Sequence, residues 1–197
     1  MFHLIGVAHR IQSHESGQQL NEDQTRLSQC LTHLVDKVKL AVIGEEQSQE
    51  ALGKRVSIPQ EIAQKAGIEP RFCDPDSKQR QAMGYRDRQT ISLELFMGDD
   101  GWNLSPVELD AKAGAIEIVR YFPIREQFWL ERLADQKNSE VAFVCGNAHI
   151  EGFTGLLTKN GIPSRVVDRG IGVNQEDKYT MEIALAYLEK HPELRNG

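Results

Sequence analysis

Two short stretches carry the same unusual ending. "FHLIGVAH" closes on Gly6-Val7-Ala8-His9, and "VAFVCGNAH" closes on Gly146-Asn147-Ala148-His149. Each is an apolar run with a histidine three residues after a glycine. A neutral imidazole offers one nitrogen to a divalent ion or moves a proton near neutral pH. Glycine lets the chain turn sharply and lets backbone approach a ligand. Between the two copies, "LAVIG" runs into Glu45-Glu46. Two imidazoles and one carboxylate with open positions form the donor set of a catalytic metal. Side chains alternate along a strand, so only one of the two glutamates faces a cleft. Glu45 directly continues the buried run and is assigned as the ligand with His9 and His149. Glu46 is left as the acceptor of a proton.

A second cluster lies in "FPIREQFWLERL", residues 122–133. Arg125, Glu126, Trp129, Arg132 and Leu133 recur at helical spacing. Its ordinary reading is an amphipathic helix with Trp129 and Leu133 in the core and its charges in water. Just past Pro123, Arg125 is a candidate to hold a carboxylate, phosphate or oxyanion. Glu126 is an alternative proton acceptor. Asp74 and Asp76 flank Pro75 and either turn the chain or face the cleft, and Asp168-Arg169 has the same two readings. Ser57, Ser105 and Ser164 lack a Gly-x-Ser-x-Gly setting, which argues against a serine hydrolase.

These groups need elements that end near one another. Residues 2–8 read as a buried strand and 16–38 as an amphipathic helix. "KLAVIGEE" reads as a second strand. "IPQEIAQKAG" is a helix opened by Pro59 and closed by Gly67, and "EPRFCDPD" is a third strand. Ser105-Pro106 with Glu108 is a helix start, so 106–136 reads as helix with an interruption at Pro123. The close is strand 141–145, helix 150–160, strand 164–168 and a last helix over 176–190. This alternation predicts an α/β fold with a mainly parallel or mixed central sheet flanked by helices, and a cleft at the carboxyl ends of the strands. The whole chain, 1–197, reads as a single domain. Residues 84–105, turn-rich around Gly98–Gly101, stand out as a lid or insertion.

The formal net charge of -6, from 23 basic and 29 acidic residues, argues against nucleic acid as a partner. No apolar run has the length of a signal or a membrane span. Cys30, Cys73 and Cys145 form no Cys-x-x-Cys motif and suit a reducing, cytoplasmic setting with all thiols free.

The paired Gly-x-x-His motifs, the strand ending in Glu45-Glu46 and the Arg125-Glu126 helix together resemble the TraB/Tiki group. That group shares a superfamily with erythromycin-esterase-like and ChaN-like haem-binding proteins. The resemblance implies a cleft between two pseudo-symmetric halves. It also implies metal-dependent hydrolysis, with the histidines and glutamate as metal site. The segment after His9 departs from the Ser/Thr-rich continuation of many members, and residues 68–104 have no counterpart. The expected function is hydrolysis of a small-molecule or peptide substrate, at an ester or peptide bond, using Mn²⁺, Co²⁺ or Zn²⁺. The alternatives are a non-catalytic protein that binds haem or a small anion, and an immunity-like module that binds a protein partner.

Overall fold

The computed structural model describes residues 1–98 and 101–196, so part of the turn expected around Gly98–Gly101 lies outside the described residues. The strands are β1 (Phe2–Val7), β2 (Ser13–Glu15), β3 (Val42–Glu45), β4 (Arg55–Ser57), β5 (Glu69–Phe72), β6 (Val141–Gly146) and β7 (Ser164–Ile171). The helices are α1 (Glu22–Lys37), α2 (Gln49–Leu52), α3 (Ile58–Ala66), α4 (Ser77–Ala82), α5 (Arg88–Met97), α6 (Pro106–Ile116), α7 (Phe122–Arg132), α8 (Ile150–Lys159) and α9 (Gln175–Lys190). The fold is α/β. Five strands form one parallel sheet in the order β5-β3-β6-β1-β7, and β2 pairs with β4 in a separate antiparallel ribbon. No helix among the described residues is long and apolar enough to cross a membrane.

The chain divides into two compact units. The first holds residues 1–78 and 126–173, and the second holds 79–125 and 174–197.

Strand alternation sorts the core of the first unit into two layers. Phe2, Leu4, Val42, Val141, Phe143 and Cys145 face one side, against Trp129, Leu133, Ile150 and Phe153. Ile5, Val7, Ile43, Ala142 and Val144 face the other, against Leu27, Leu31 and Leu34 of α1 and Ile58 and Ile62 of α3. Burial on both faces explains why β1, β3 and β6 read as largely apolar runs. Helix ends follow their local chemistry. Asn21 caps α1 and exchanges bonds with Gln24, Ser57 caps α3, and Gly67 closes α3 with a φ of 67°.

The expected β-α-β unit at the end of the first unit is present, with one difference. β6 and β7 are not neighbours, because β1 lies between them and pairs with both. β7 also runs three residues past the strand expected over 164–168, to Ile171, so Asp168 lies inside the strand. There it takes two bonds from Arg26.

The second unit is helical. The start expected at Ser105 is a capping box with Glu108, and α9 opens with another, between Asn174 and Asp177. Arg88 joins Asp110 through Nε and Nη2, each at 2.7 Å. The interruption expected at Pro123 falls earlier, as a π turn over Glu117–Tyr121. Proline lacks an N–H and crowds the carbonyl four residues back. A wider turn just upstream accommodates both, and the Phe122 N–H bonds to the Glu117 carbonyl, five residues back. Residues 84–105, marked in the sequence as a lid or insertion, contain α5.

Candidate active site

The register sets the geometry. β3, β6 and β1 are consecutive in the sheet, and Val7 stands beside Gly146 while Glu45 stands beside Val144. Both Gly-x-x-His segments therefore leave the sheet side by side. Each passes directly into a short 3-10 turn, His9–Ile11 and Asn147–His149. The Glu46 N–H still bonds to the Val144 carbonyl, at 2.8 Å, so Glu46 extends β3 by one more residue.

Glu46 is the hub. Its Oε1 stands 3.4 Å from His9 Nε2 and 3.6 Å from His149 Nε2. Its Oε2 accepts the Gly146 N–H at 2.6 Å. The Glu46 side chain is fully buried and that of His149 nearly so, whereas that of His9 is 56% exposed. The cluster thus opens to solvent on the His9 side. A side chain at Gly146 would have to displace the His9 ring. A Cβ at that position would lie 2.6 Å from His9 Nε2 and 3.2 Å from Glu46 Oε2.

The two glutamates take opposite faces. Glu45, expected as the ligand, turns away from the histidines. Gly44 faces Phe143, Cys73 and Leu133, so the next residue faces the opposite layer, beneath α3. There Ser57 Oγ donates to Glu45 Oε1 at 2.6 Å, and Oε2 has no hydrogen-bond partner. Burial raises the Glu45 carboxyl to about 7, although the Ser57 bond pulls the other way. Glu46, one residue further, alternates back to the layer that holds His149.

His149 is held from two further directions. Its Nδ1 lies 3.0 Å from Glu126 Oε1. The ring meets Trp129 edge-on, with centroids 4.8 Å apart and planes at 70°. The indole N–H of Trp129 donates to Asp74 Oδ1 at 3.1 Å. Spacing alone marked Trp129 as a core residue and left Asp74 as a turn or cleft residue. The missed signal is that a buried indole needs an acceptor for its N–H. On the exposed side, Gln12 Nε2 lies 3.4 Å from His9 Nδ1.

The structure thus brings His9, Glu46, Glu126 and His149 together in the first unit. Arg125 belongs to the second unit, with its guanidinium carbon 5.4 Å from the Tyr85 ring centroid and Nη1 3.5 Å from the Tyr85 hydroxyl.

The donor set has the composition a divalent metal takes, with Glu46 in place of Glu45. Two ligands bonded at about 2.0–2.1 Å to a tetrahedral ion stand about 3.4 Å apart. The His9–Glu46 and His149–Glu46 pairs match that spacing, at 3.4 and 3.6 Å. Among the described residues no group of three or more His, Cys, Asp or Glu side chains stands as a set that could hold an ion. His9, in the turn that follows β1, is the most exposed member of the set. No family model, no curated protein and no solved structure matches this chain.

Proposed function

We propose that this protein is a hydrolase of ester or peptide bonds that holds a divalent ion between His9, Glu46 and His149. One observation supports the reading above the rest: two imidazole nitrogens share one buried carboxylate oxygen at 3.4 and 3.6 Å. Those distances exceed the roughly 2.7–3.2 Å of a direct N–H···O bond. Protonation logic points the same way. A carboxylate only accepts hydrogen bonds, so with Glu126 as carboxylate the His149 Nδ1, at 3.0 Å, carries the hydrogen. A neutral His149 then turns the lone pair of Nε2 toward Glu46 Oε1. A cation between the two converts that repulsion into attraction. The motif order that resembles the TraB/Tiki group agrees with this chemistry.

A bound divalent ion lowers the pKa of its water toward about 7 and polarises a carbonyl. The chain's own residues do the rest. Glu46 supplies the negative charge that two neutral imidazoles lack. The Gly146 N–H fixes Glu46, and Glu126 orients His149 as carboxylates orient metal-binding histidines. The lack of a finished three-donor arrangement favours a second reading. In it a proton takes the place of the ion, and the Glu46–His9 pair acts as general base.

Calorimetric titration of Mn²⁺ and Zn²⁺, with hydrolysis of a p-nitrophenyl ester, separates the two. The metal reading expects one site, weakened more than tenfold, about 1.4 kcal/mol, in Glu46→Gln, and hydrolysis that a chelator abolishes. Hydrolysis that survives the chelator but not Glu46→Gln establishes the general-base reading. Wild type that neither binds metal nor hydrolyses the ester overturns both.

A further inference from the structure

We propose that Gly152 of α8 is a positioning residue: it leaves the space in which Glu126 reaches His149 and fixes its tautomer. The proposal takes His149 as a site residue from the reading above, but its physical content is independent of any metal. A Cβ built on Gly152 would lie 2.6 Å from both carboxylate oxygens of Glu126 and 2.9 Å from its Cδ. No Cβ fits there while Glu126 keeps this position. The carboxylate so accommodated is 4% exposed and stands 3.0 Å from His149 Nδ1. The colliding atoms are the end of a flexible side chain, so a methyl at 152 displaces Glu126 and spares the backbone.

A second glycine on the same helix supplies the contrast. A Cβ on Gly155 would meet nothing within 4 Å. Both glycines weaken a helix relative to alanine, and only Gly152 has a steric reason to be there. Once Glu126 is displaced, the His149 ring keeps its plane, because Trp129 still holds it edge-on. What changes is which nitrogen carries the hydrogen. Without the Glu126 acceptor at Nδ1, the proton moves to Nε2, on the side of the Glu46 carboxylate, and the lone pair faces the wrong way for a metal.

The test is long-range ¹H–¹⁵N NMR of the imidazoles in metal-free protein at pH 8, with His149 assigned by comparison with His149→Gln. Wild type and Gly155→Ala should show the Nδ1–H tautomer. Gly152→Ala should lose it in favour of Nε2–H. Glu126→Ala should do the same without adding bulk, which keeps the proposal testable if Gly152→Ala folds poorly. A folded Gly152→Ala that retains the Nδ1–H form overturns the proposal, as does an identical change in Gly155→Ala. Zn²⁺ affinity, measured in parallel, should fall at least tenfold in Gly152→Ala. Absence of Zn²⁺ binding in wild type would remove the metal reading and leave the tautomer result standing.

Discussion

Replacing Glu45 by Gln should flatten the pH dependence of stability. Glu45 is 1% exposed, one oxygen accepts from Ser57, and the other has no hydrogen-bond partner. Burial holds the carboxyl at about 7 against an ordinary 4.5. In the unfolded chain the proton leaves near the lower value, and in the fold it leaves only near the higher one. Between them the folded state binds the extra proton. Glu45 therefore costs nothing below pH 4.5, costs progressively more as the pH rises, and carries its full penalty above pH 7. The interval corresponds to a penalty on the order of 3 kcal/mol, at about 1.4 kcal/mol per tenfold. Gln keeps the size and cannot ionise. Its amide N–H groups need acceptors, as the protonated carboxyl does, and that cost of roughly 1 kcal/mol does not vary with pH. Urea unfolding of both proteins in chelator, from pH 4.5 to 8, isolates the effect. The advantage of Glu45→Gln over wild type should grow by about 3 kcal/mol across that range. Parallel stability curves would refute the argument and mean that Glu45 ionises at its ordinary pH inside the fold.

Cys73 is fully buried and its thiol is pushed up to about 12 by burial, so iodoacetamide at pH 8 should modify half-buried Cys30 first and leave Cys73 and Cys145 untouched until the protein unfolds; peptide mapping of native and denatured samples checks this. Trp129→Phe removes a fully buried indole and its bond to Asp74. Chemical denaturation should show a loss of about 2–4 kcal/mol.

Legibility followed locality. The buried runs of β1, β3 and β6, the Ser105 capping box and the stop at Gly67 are written in neighbouring residues and can be read there. The convergence of His9 and His149 was legible because a parallel sheet gathers strand ends on one side. The choice between Glu45 and Glu46 was not. Both are buried, and which face each takes depends on the strand phase, which Gly44 does not reveal until Phe143 and Leu133 are seen against it. The ribbon of β2 and β4 pairs segments of three residues each, too short for a periodic signal. In α5, Ile91 is buried while Leu93 and Met97 are exposed, so the apolar pattern had no single face to report. The place of Gly152 was invisible, because its neighbour Glu126 comes from another helix.

The strand order imposes a schedule on the making of the site. β1 is synthesised first among the sheet strands, yet its two partners are β6 and β7, the last to emerge. Until then both its edges carry unpaired backbone groups on a largely apolar strand, a species prone to association with other chains. Pairing across so long a span is entropically slow. His9 therefore has no fixed position until residues beyond Val141 are available, and Glu46 has none of its partners from Gly146 or His149 before then. The cluster arises in the final docking of the sheet, so a nascent or nicked chain lacking β6 presents one histidine and one glutamate but no site.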